Sequence, residues 1–389
     1  MTQLEQLHAD LAALDSQHLR RIRRDNTTPC SPHVVIDGEP YTAFCSNDYL
    51  GLAGEPRLAA ALAAGALQWG AGAGASHLVS GHYTVQHALE QRLAAFVGCE
   101  RALYFATGFM ANSGALPALA GRGDAIFADK LNHASLIDGM LLARADVHRY
   151  PHLDLAALER QLARSNAARK LIVSDAVFSM DGDVAPLVEL MRLAEQYDAW
   201  LYIDDAHGFG VLGPQGRGTL AEAGISSWRL IQLGTLSKAA GVSGAFIAGH
   251  ADVIEWLMQK TRSYIFTTGT PPALAQALLA SLDIIDSDEG NARRAHIAAL
   301  IERLSTGLRQ TRWRLLPSRT PIQALIVGDN AAALKLAAAL LEEGLWVPAI
   351  RPPTVPAGSA RLRISLSAAH GEGDVERLIE AINRLEHSL

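Results

Sequence analysis

Leu230-Ile231-Gln232-Leu233-Gly234-Thr235-Leu236-Ser237-Lys238 is the stretch that decides how this chain is read. Its first four residues form a short apolar run of buried-strand length. Lys238 follows the strand end, and Ala239-Ala240-Gly241-Val242-Ser243-Gly244 after it is mostly small and turn-prone. A lysine held there lies close to backbone with little water around it. Desolvation lowers an ammonium pKa, and a neutral amine can form a Schiff base with an aldehyde. Standing alone, Lys238 reads as an ordinary solvated lysine; only its company elsewhere in the chain sets it apart.

Working outward, short apolar runs alternate with helical patterns from about residue 50 to 250. Ala102-Phe105, Ala125-Phe127, Lys170-Val173, Trp200-Ile203, Leu230-Leu233 and Ala245-Ala248 read as strands. Val85-Val97, Leu153-Ser165 and Leu187-Tyr197 between them read as helices. The alternation predicts an α/β fold, a mainly parallel sheet with helices on both faces. Helical spacing recurs over Pro272-Ser287 and Asn291-Leu308. Ile322-Val327, Ala331-Glu343, Arg361-Ser367 and Val375-Leu385 then suggest a smaller α+β unit. Residues 3 to 24 carry leucines at helical spacing, followed by short strands to about Ala43. The expected division is 1–45 as an N-terminal helix and short strands, 46–280 as the large domain, and 281–389 as the C-terminal α+β domain.

The chain has 389 residues, 49% of them hydrophobic and 19% charged, enough for about two domains. With 34 basic against 40 acidic residues and a net charge of −6, it is no general polyanion binder, and no nucleic-acid partner is expected. Cys30, Cys45 and Cys99 make no disulfide framework, which favours a reducing cytoplasm. No apolar run approaches the roughly 18 to 20 residues of a membrane span, so no membrane association is expected.

Strand ends of a parallel sheet present side chains at one rim, where ligands bind. After Ala102-Phe105 comes Thr107-Gly108-Phe109-Met110-Ala111-Asn112, which is either an ordinary helix cap or a helix start exposing backbone N–H groups to an anion. After Trp200-Ile203 comes Asp204-Asp205-Ala206-His207-Gly208. Its aspartate suits a pyridinium N–H, which it would keep protonated. The alternatives are an ion-pair corner or a metal site, the latter lacking a third partner at ligand spacing. Asn132-His133-Ala134-Ser135 and Phe178-Ser179-Met180-Asp181-Gly182-Asp183 complete the set. Gly70-Ala71-Gly72-Ala73-Gly74-Ala75-Ser76 follows a helical pattern rather than a strand, which excludes a dinucleotide fingerprint.

Together these segments resemble the α-oxoamine synthases, a branch of the fold-type-I pyridoxal-phosphate (PLP) enzymes, over nearly the whole chain. Ser46-Asn47-Asp48-Tyr49-Leu50-Gly51, Asp204 to Gly208, Gly213-Pro214-Gln215-Gly216-Arg217-Gly218 and Ser367-Ala368-Ala369-His370 look like that family's signatures. Ala349 to Gly358 (Ala-Ile-Arg-Pro-Pro-Thr-Val-Pro-Ala-Gly) and Ile326-Val327-Gly328-Asp329-Asn330 are similar to its biotin-pathway members. The resemblance implies a seven-stranded large domain, pyridoxal 5'-phosphate as cofactor, no metal, and a homodimer. It implies decarboxylative condensation of L-alanine with a pimeloyl thioester, carried by coenzyme A or an acyl carrier protein. Departures stand at Ala75, where glycine is common in the family, and at His77, where arginine or glycine is.

The roles it implies are these. Lys238 carries the cofactor and shuttles the substrate's α-proton, with His133 stacked on the ring and Asp204 on the pyridine nitrogen. His207 and Ser179 lie by the phenolic oxygen, Gly108 and Phe109 lie against the cofactor, and Thr235 helps to hold its phosphate. Asn47 and Arg363 bind the amino-acid carboxylate, while Arg21, Arg351 and Thr354 contact substrate, as does His133. Phe266 to Pro272 reaches the phosphate of the partner subunit. Rivals within the family use glycine or serine with other acyl thioesters. A rival of another class is a non-catalytic PLP-fold regulator, which the first ~40 residues are too few to equip with a DNA-binding domain of ordinary size.

Overall fold

The computed structural model of the chain describes residues 1–17, 19–21, 23–309 and 312–388. Among these, the apolar runs pair into a seven-stranded sheet: β1 (Arg101–Phe105), β2 (Ala125–Asp129), β3 (Asp146–Tyr150), β4 (Lys170–Asp175), β5 (Ala199–Asp204), β6 (Leu230–Thr235) and β7 (Ala245–Gly249). Their order is β1-β7-β6-β5-β4-β2-β3. Strands β3, β2, β4, β5 and β6 pair in parallel, while β7 runs antiparallel to both of its neighbours. All six runs read from the sequence are strands of this sheet. The seventh, β3, is an edge strand exposed at four of its five positions, so it carries no apolar run to find.

Strand periodicity divides the side chains between two cores. Ile126, Val173 and Ile231 pack with Leu116, Met140 and Ile254 from helices on one face. Their neighbours Phe127, Ile172 and Leu230 pack with Leu158, Leu190 and Leu193 on the other. Each such side chain contributes about 1.5–3 kcal/mol on burial, so a one-residue slip of any central strand would exchange both faces at once. The parallel strands also end together, which brings Asp175 opposite Asp204 in register.

A second sheet of four strands has the order Arg314–Leu315, Ile322–Gly328, Ala360–Ser365, Ala349–Ile350, each pair antiparallel. A third joins the ends of the chain: Glu39–Ala43 pairs with His33–Ile36 and, in parallel, with Leu345–Trp346. The first helix runs Gln3–Ser16, shorter than the periodicity over residues 3 to 24 suggests, and His18 and Ile22 of that span lie outside the described residues. It buries none of its residues, and Leu4, Leu7, Leu11 and Leu14 are exposed. The glycine-rich stretch from Gly70 follows the helix Pro56–Trp69 and forms loop, as its failure to fit a nucleotide fingerprint requires.

Candidate active site

The rim formed by the C-terminal ends of β4, β5 and β6 encloses a cavity of about 230 Å³ lined by Gly108, Phe109, His133, Asp204, His207, Thr235 and Lys238. Each side chain is there for a local reason. Asp204 ends β5, and both its oxygens are engaged. Oδ2 accepts a hydrogen bond from Asn112 Nδ2 at 2.7 Å, and Oδ1 accepts one from the Ala206 N–H at 3.0 Å. Asn112, buried on the helix Gly108–Leu119, also accepts from the Tyr202 hydroxyl at 2.8 Å and donates to Ser135 Oγ at 2.9 Å. His133 Nδ1 accepts the Ser135 backbone N–H at 3.2 Å, so the Ser135 hydroxyl, 2.7 Å from the same nitrogen, donates to it as well. The neutral His133 ring therefore carries its proton on Nε2, toward the cleft. Burial lowers the His133 pKa, opposed by the Asp204 charge and reinforced by Lys238.

Lys238 lies three residues past the end of β6, where Nζ donates to Thr235 Oγ1 at 3.1 Å. Thr235 Oγ1 in turn donates to the Ala206 carbonyl at 3.1 Å. Burial pushes the Lys238 ammonium below its ordinary range; the Asp204 and Asp175 carboxylates oppose this, and Arg363 adds to it. Asp175 Oδ2 accepts the His133 backbone N–H at 2.7 Å, and burial together with the Asp204 charge raises its pKa well above the usual carboxylate range. His207 Nδ1 lies 2.6 Å from the Tyr49 hydroxyl, and Tyr49 donates to Asn47 Oδ1 at 3.2 Å. Arg363 Nη2 reaches the same Asn47 oxygen at 3.2 Å, and its Nε donates to the Ser179 carbonyl at 2.5 Å. Polar contacts thus run without a break from Arg363 to His207. At the opposite wall Thr107 caps the helix by accepting from the Met110 N–H at 3.1 Å, leaving the Gly108 and Phe109 N–H groups directed at the cavity end.

Seven of the residues singled out in sequence thus meet in one cavity. Ser179 stands outside its lining and meets Arg363 through its backbone carbonyl, and Asn47 joins through Tyr49. Arg21, Arg351 and Thr354 line a separate groove of about 670 Å³ with Leu11, Leu14 and Ile350. Asn112, Ser135, Asp175, Tyr49 and Ser237 belong to the site or its support and were not singled out. Asp175 had a signal: Leu171-Ile172-Val173-Ser174-Asp175 ends an apolar run on an aspartate, as the run before Asp204 does. Asn112 had one only in hindsight of the helix, which brings it one turn past Gly108.

The family described as aminotransferase class I and II matches residues 39–382. The 8-amino-7-oxononanoate synthase of Azoarcus sp. (strain BH72) is 68% identical over 385 residues, covering 99% of this chain and 98% of its own. Among solved structures, the serine palmitoyltransferase of Sphingomonas wittichii has a TM-score of 0.93 at 33% identity, covering 100% of this chain and 98% of its own. The 8-amino-7-oxononanoate synthase of Francisella tularensis has a TM-score of 0.77 at 29% identity, covering 90% and 98%. Matched along nearly its full length at this identity, the chain belongs to the 8-amino-7-oxononanoate synthases, within the aminotransferase class I and II family.

Proposed function

We propose that this cavity binds PLP and condenses L-alanine with a pimeloyl thioester, releasing carbon dioxide and the thiol carrier and giving 8-amino-7-oxononanoate. The observation that carries it is Lys238, deprived of water beside Asp204 and Thr235 in a pocket with His133 and His207. The residues fit the cofactor. Gly108 leaves room no other residue would: a Cβ there would come within 2.8 Å of Thr235 Cγ2. The Gly108 and Phe109 N–H groups with Thr235 suit the phosphate, Asp204 the ring nitrogen, His133 the ring face and His207 the phenolic side, while Ser179, expected there, lies outside the lining and reaches the site through its carbonyl to Arg363. Bound PLP supplies the electron sink that stabilises negative charge at the amino acid's Cα.

The chain's own side chains do the rest. Lys238, its ammonium pKa lowered by burial, takes the proton from the alanine Cα and later returns one. Asp204, held by Asn112 and the Ala206 N–H, stays fixed in position through both proton transfers. Arg363 holds the alanine carboxylate until that group leaves; its fork is oriented by Ser179, Asn47 and Ser365, the last at 2.6 Å. His133 closes one face of the cleft and contacts the acyl donor. Arg21, Arg351 and Thr354 receive the distal part of the pimeloyl chain, where an apolar stem and a terminal carboxylate match leucines beside arginines.

The chain works as a homodimer in the cytoplasm. The exposed leucine face of Gln3–Ser16 and the exposed Phe266, at the start of the segment that reaches the partner's phosphate, support the pairing. Three free thiols support the compartment. Among the described residues no helix is long and apolar enough to cross a membrane. Residues 1–45, 46–280 and 281–389 are its three units. The test is turnover of the purified holoenzyme with L-alanine, glycine or serine against pimeloyl-CoA, pimeloyl-acyl carrier protein, acetyl-CoA and palmitoyl-CoA. Alanine with a pimeloyl thioester is the productive pair, and Lys238→Ala abolishes it. Turnover confined to glycine or serine would overturn the proposal.

A further inference from the structure

Outside the cavity, three histidines and a glutamate that the reaction does not use converge at the start of the helix Thr84–Val97. His87 and Glu90 are three residues apart on that helix, hence on one face, and His82 lies in the turn before it. One donor atom from each of His82, His87 and Glu90 falls within 4.8 Å of the other two. We propose that His82, His87 and Glu90 form a binding site for a divalent transition-metal ion of the zinc class.

The donors are two imidazoles and one carboxylate, a set that holds zinc in other folds with one position left open. The surrounding bonds orient them as ligands. His82 Nδ1 meets His77 Nδ1 at 3.0 Å, which leaves the His82 Nε2 lone pair free when Nδ1 donates. His77 is itself clamped by stacking on Tyr264 at 4.8 Å and 7°. Glu90 Oε1 accepts the Tyr104 N–H at 2.9 Å, which aims Oε2 at His82 Nε2, 3.9 Å away and too far for a hydrogen bond. Metal-ligating histidines ordinarily have such a partner on the second nitrogen. Arg101, the nearest cation to Glu90, is committed to Glu255 at 2.5 Å.

The electrostatics agree. Burial pushes the Glu90 carboxyl up to about 7, against the Tyr104 N–H and Arg101, so its anion lacks compensation. Burial and the neighbouring His82 ring hold His77 down to about 4, and burial with His87 lowers His82. Ligation at about 2.1 Å sets donors roughly 3.4 Å apart, so the set must contract by about 1.4 Å. His82 and His87 are both exposed and their rings stand 6.2 Å apart, which lets rotation supply that movement. A surface hollow of about 340 Å³ lined by His87 and Glu90 admits the ion and leaves water as the fourth ligand.

The test is titration of the purified holoenzyme with Zn²⁺ in competition with a chromophoric zinc indicator, repeated with Co²⁺ to read its visible d–d absorption. One equivalent per chain binds at micromolar concentration or tighter. His87→Ala and Glu90→Gln each weaken it at least ~100-fold, and Glu90→Gln keeps the acceptor for the Tyr104 N–H and hence the fold. His77→Ala, which removes the supporting bond to His82 together with the stack on Tyr264, weakens it about 10- to 100-fold. His148→Ala, on the opposite edge strand of the seven-stranded sheet, leaves it unchanged, and His87→Ala keeps its condensation activity without added metal. Absence of binding below about 100 μM, or one equivalent that survives both His87→Ala and Glu90→Gln, overturns the proposal.

Discussion

His152 offers the sharpest test of the frame around the site. Its Nδ1 lies 3.0 Å from Asp129 Oδ1 and its Nε2 lies 2.7 Å from Asp183 Oδ2, with the ring edge-on to Phe178 at 4.4 Å. Burial alone would lower its pKa, but hydrogen bonds to the two carboxylates outweigh that and raise it from 6.5 to about 10. At about 1.36 kcal/mol per tenfold change in proton affinity, the rise sets a ceiling near ~5 kcal/mol. A quarter of the side chain remains exposed, at 25%, and screening there reduces the stabilisation to about 3 kcal/mol. Because the folded pKa exceeds the unfolded one, this stabilisation is complete below about pH 6.5 and is lost as pH rises through about 10.

His152→Gln keeps a donor but no charge, and it leaves the buried, otherwise unpartnered Asp183 Oδ1 in a worse field. For 389 residues the unfolding entropy is about 0.8 kcal/mol/K, so the expected deficit is ~4 °C at pH 6. The assay is the difference in thermal midpoint between variant and parent, at equal chain and PLP concentrations so that mass action cancels. The gap should close between pH 7 and 10.5. The segment clamped by His152 also carries the Ser179 carbonyl to Arg363 and the Asp181 carboxylate to Arg361, so KM for alanine should rise at pH 7 as well. A deficit below 1 °C at pH 6, or one constant up to pH 10.5, would refute the reasoning.

The other predictions concern the cavity itself. Gly108→Ala should weaken PLP binding at least tenfold in an absorbance titration, because its Cβ meets Thr235 Cγ2 at 2.8 Å; Thr235→Ser, which deletes that methyl and keeps the hydroxyl, should restore binding in the double variant. Asn112→Ala should cost about 1–3 kcal/mol in kcat/KM, roughly 5- to 150-fold, by freeing Asp204 Oδ2 and Ser135 together. Arg363→Lys keeps the charge but loses the planar fork to Ser179, Asn47 and Ser365, and should raise KM for alanine more than tenfold with PLP affinity unchanged.

The buried parallel strands were legible because burial on both faces forces near-continuous apolar runs, and the site was legible because its polar residues stand where those runs stop. Lys238, Asp204 and His133 each follow such a boundary, so a sequence pattern that marks the fold also marks the rim. What escaped notice was what two-sided burial does not dictate. The edge strand Asp146–Tyr150 faces water and keeps polar residues. Asn112 and Ser135 act through contacts 92 and 23 residues apart in sequence, which no local period encodes.

The leucine stripe of Gln3–Ser16 errs in the opposite sense. Its periodicity predicts burial, yet every described position is exposed within one chain. An apolar face of that length has no reason to persist in water. The groove shared by Leu11, Leu14, Arg21, Arg351 and Thr354 shows where one edge of the stripe is already used. If the remaining leucines are covered by a second copy, Leu4→Glu with Leu7→Glu should shift the protein toward monomer in sedimentation. Activity should fall with the dimer fraction rather than with PLP affinity. A double variant that stays fully dimeric would mean that the stripe serves the acyl groove alone.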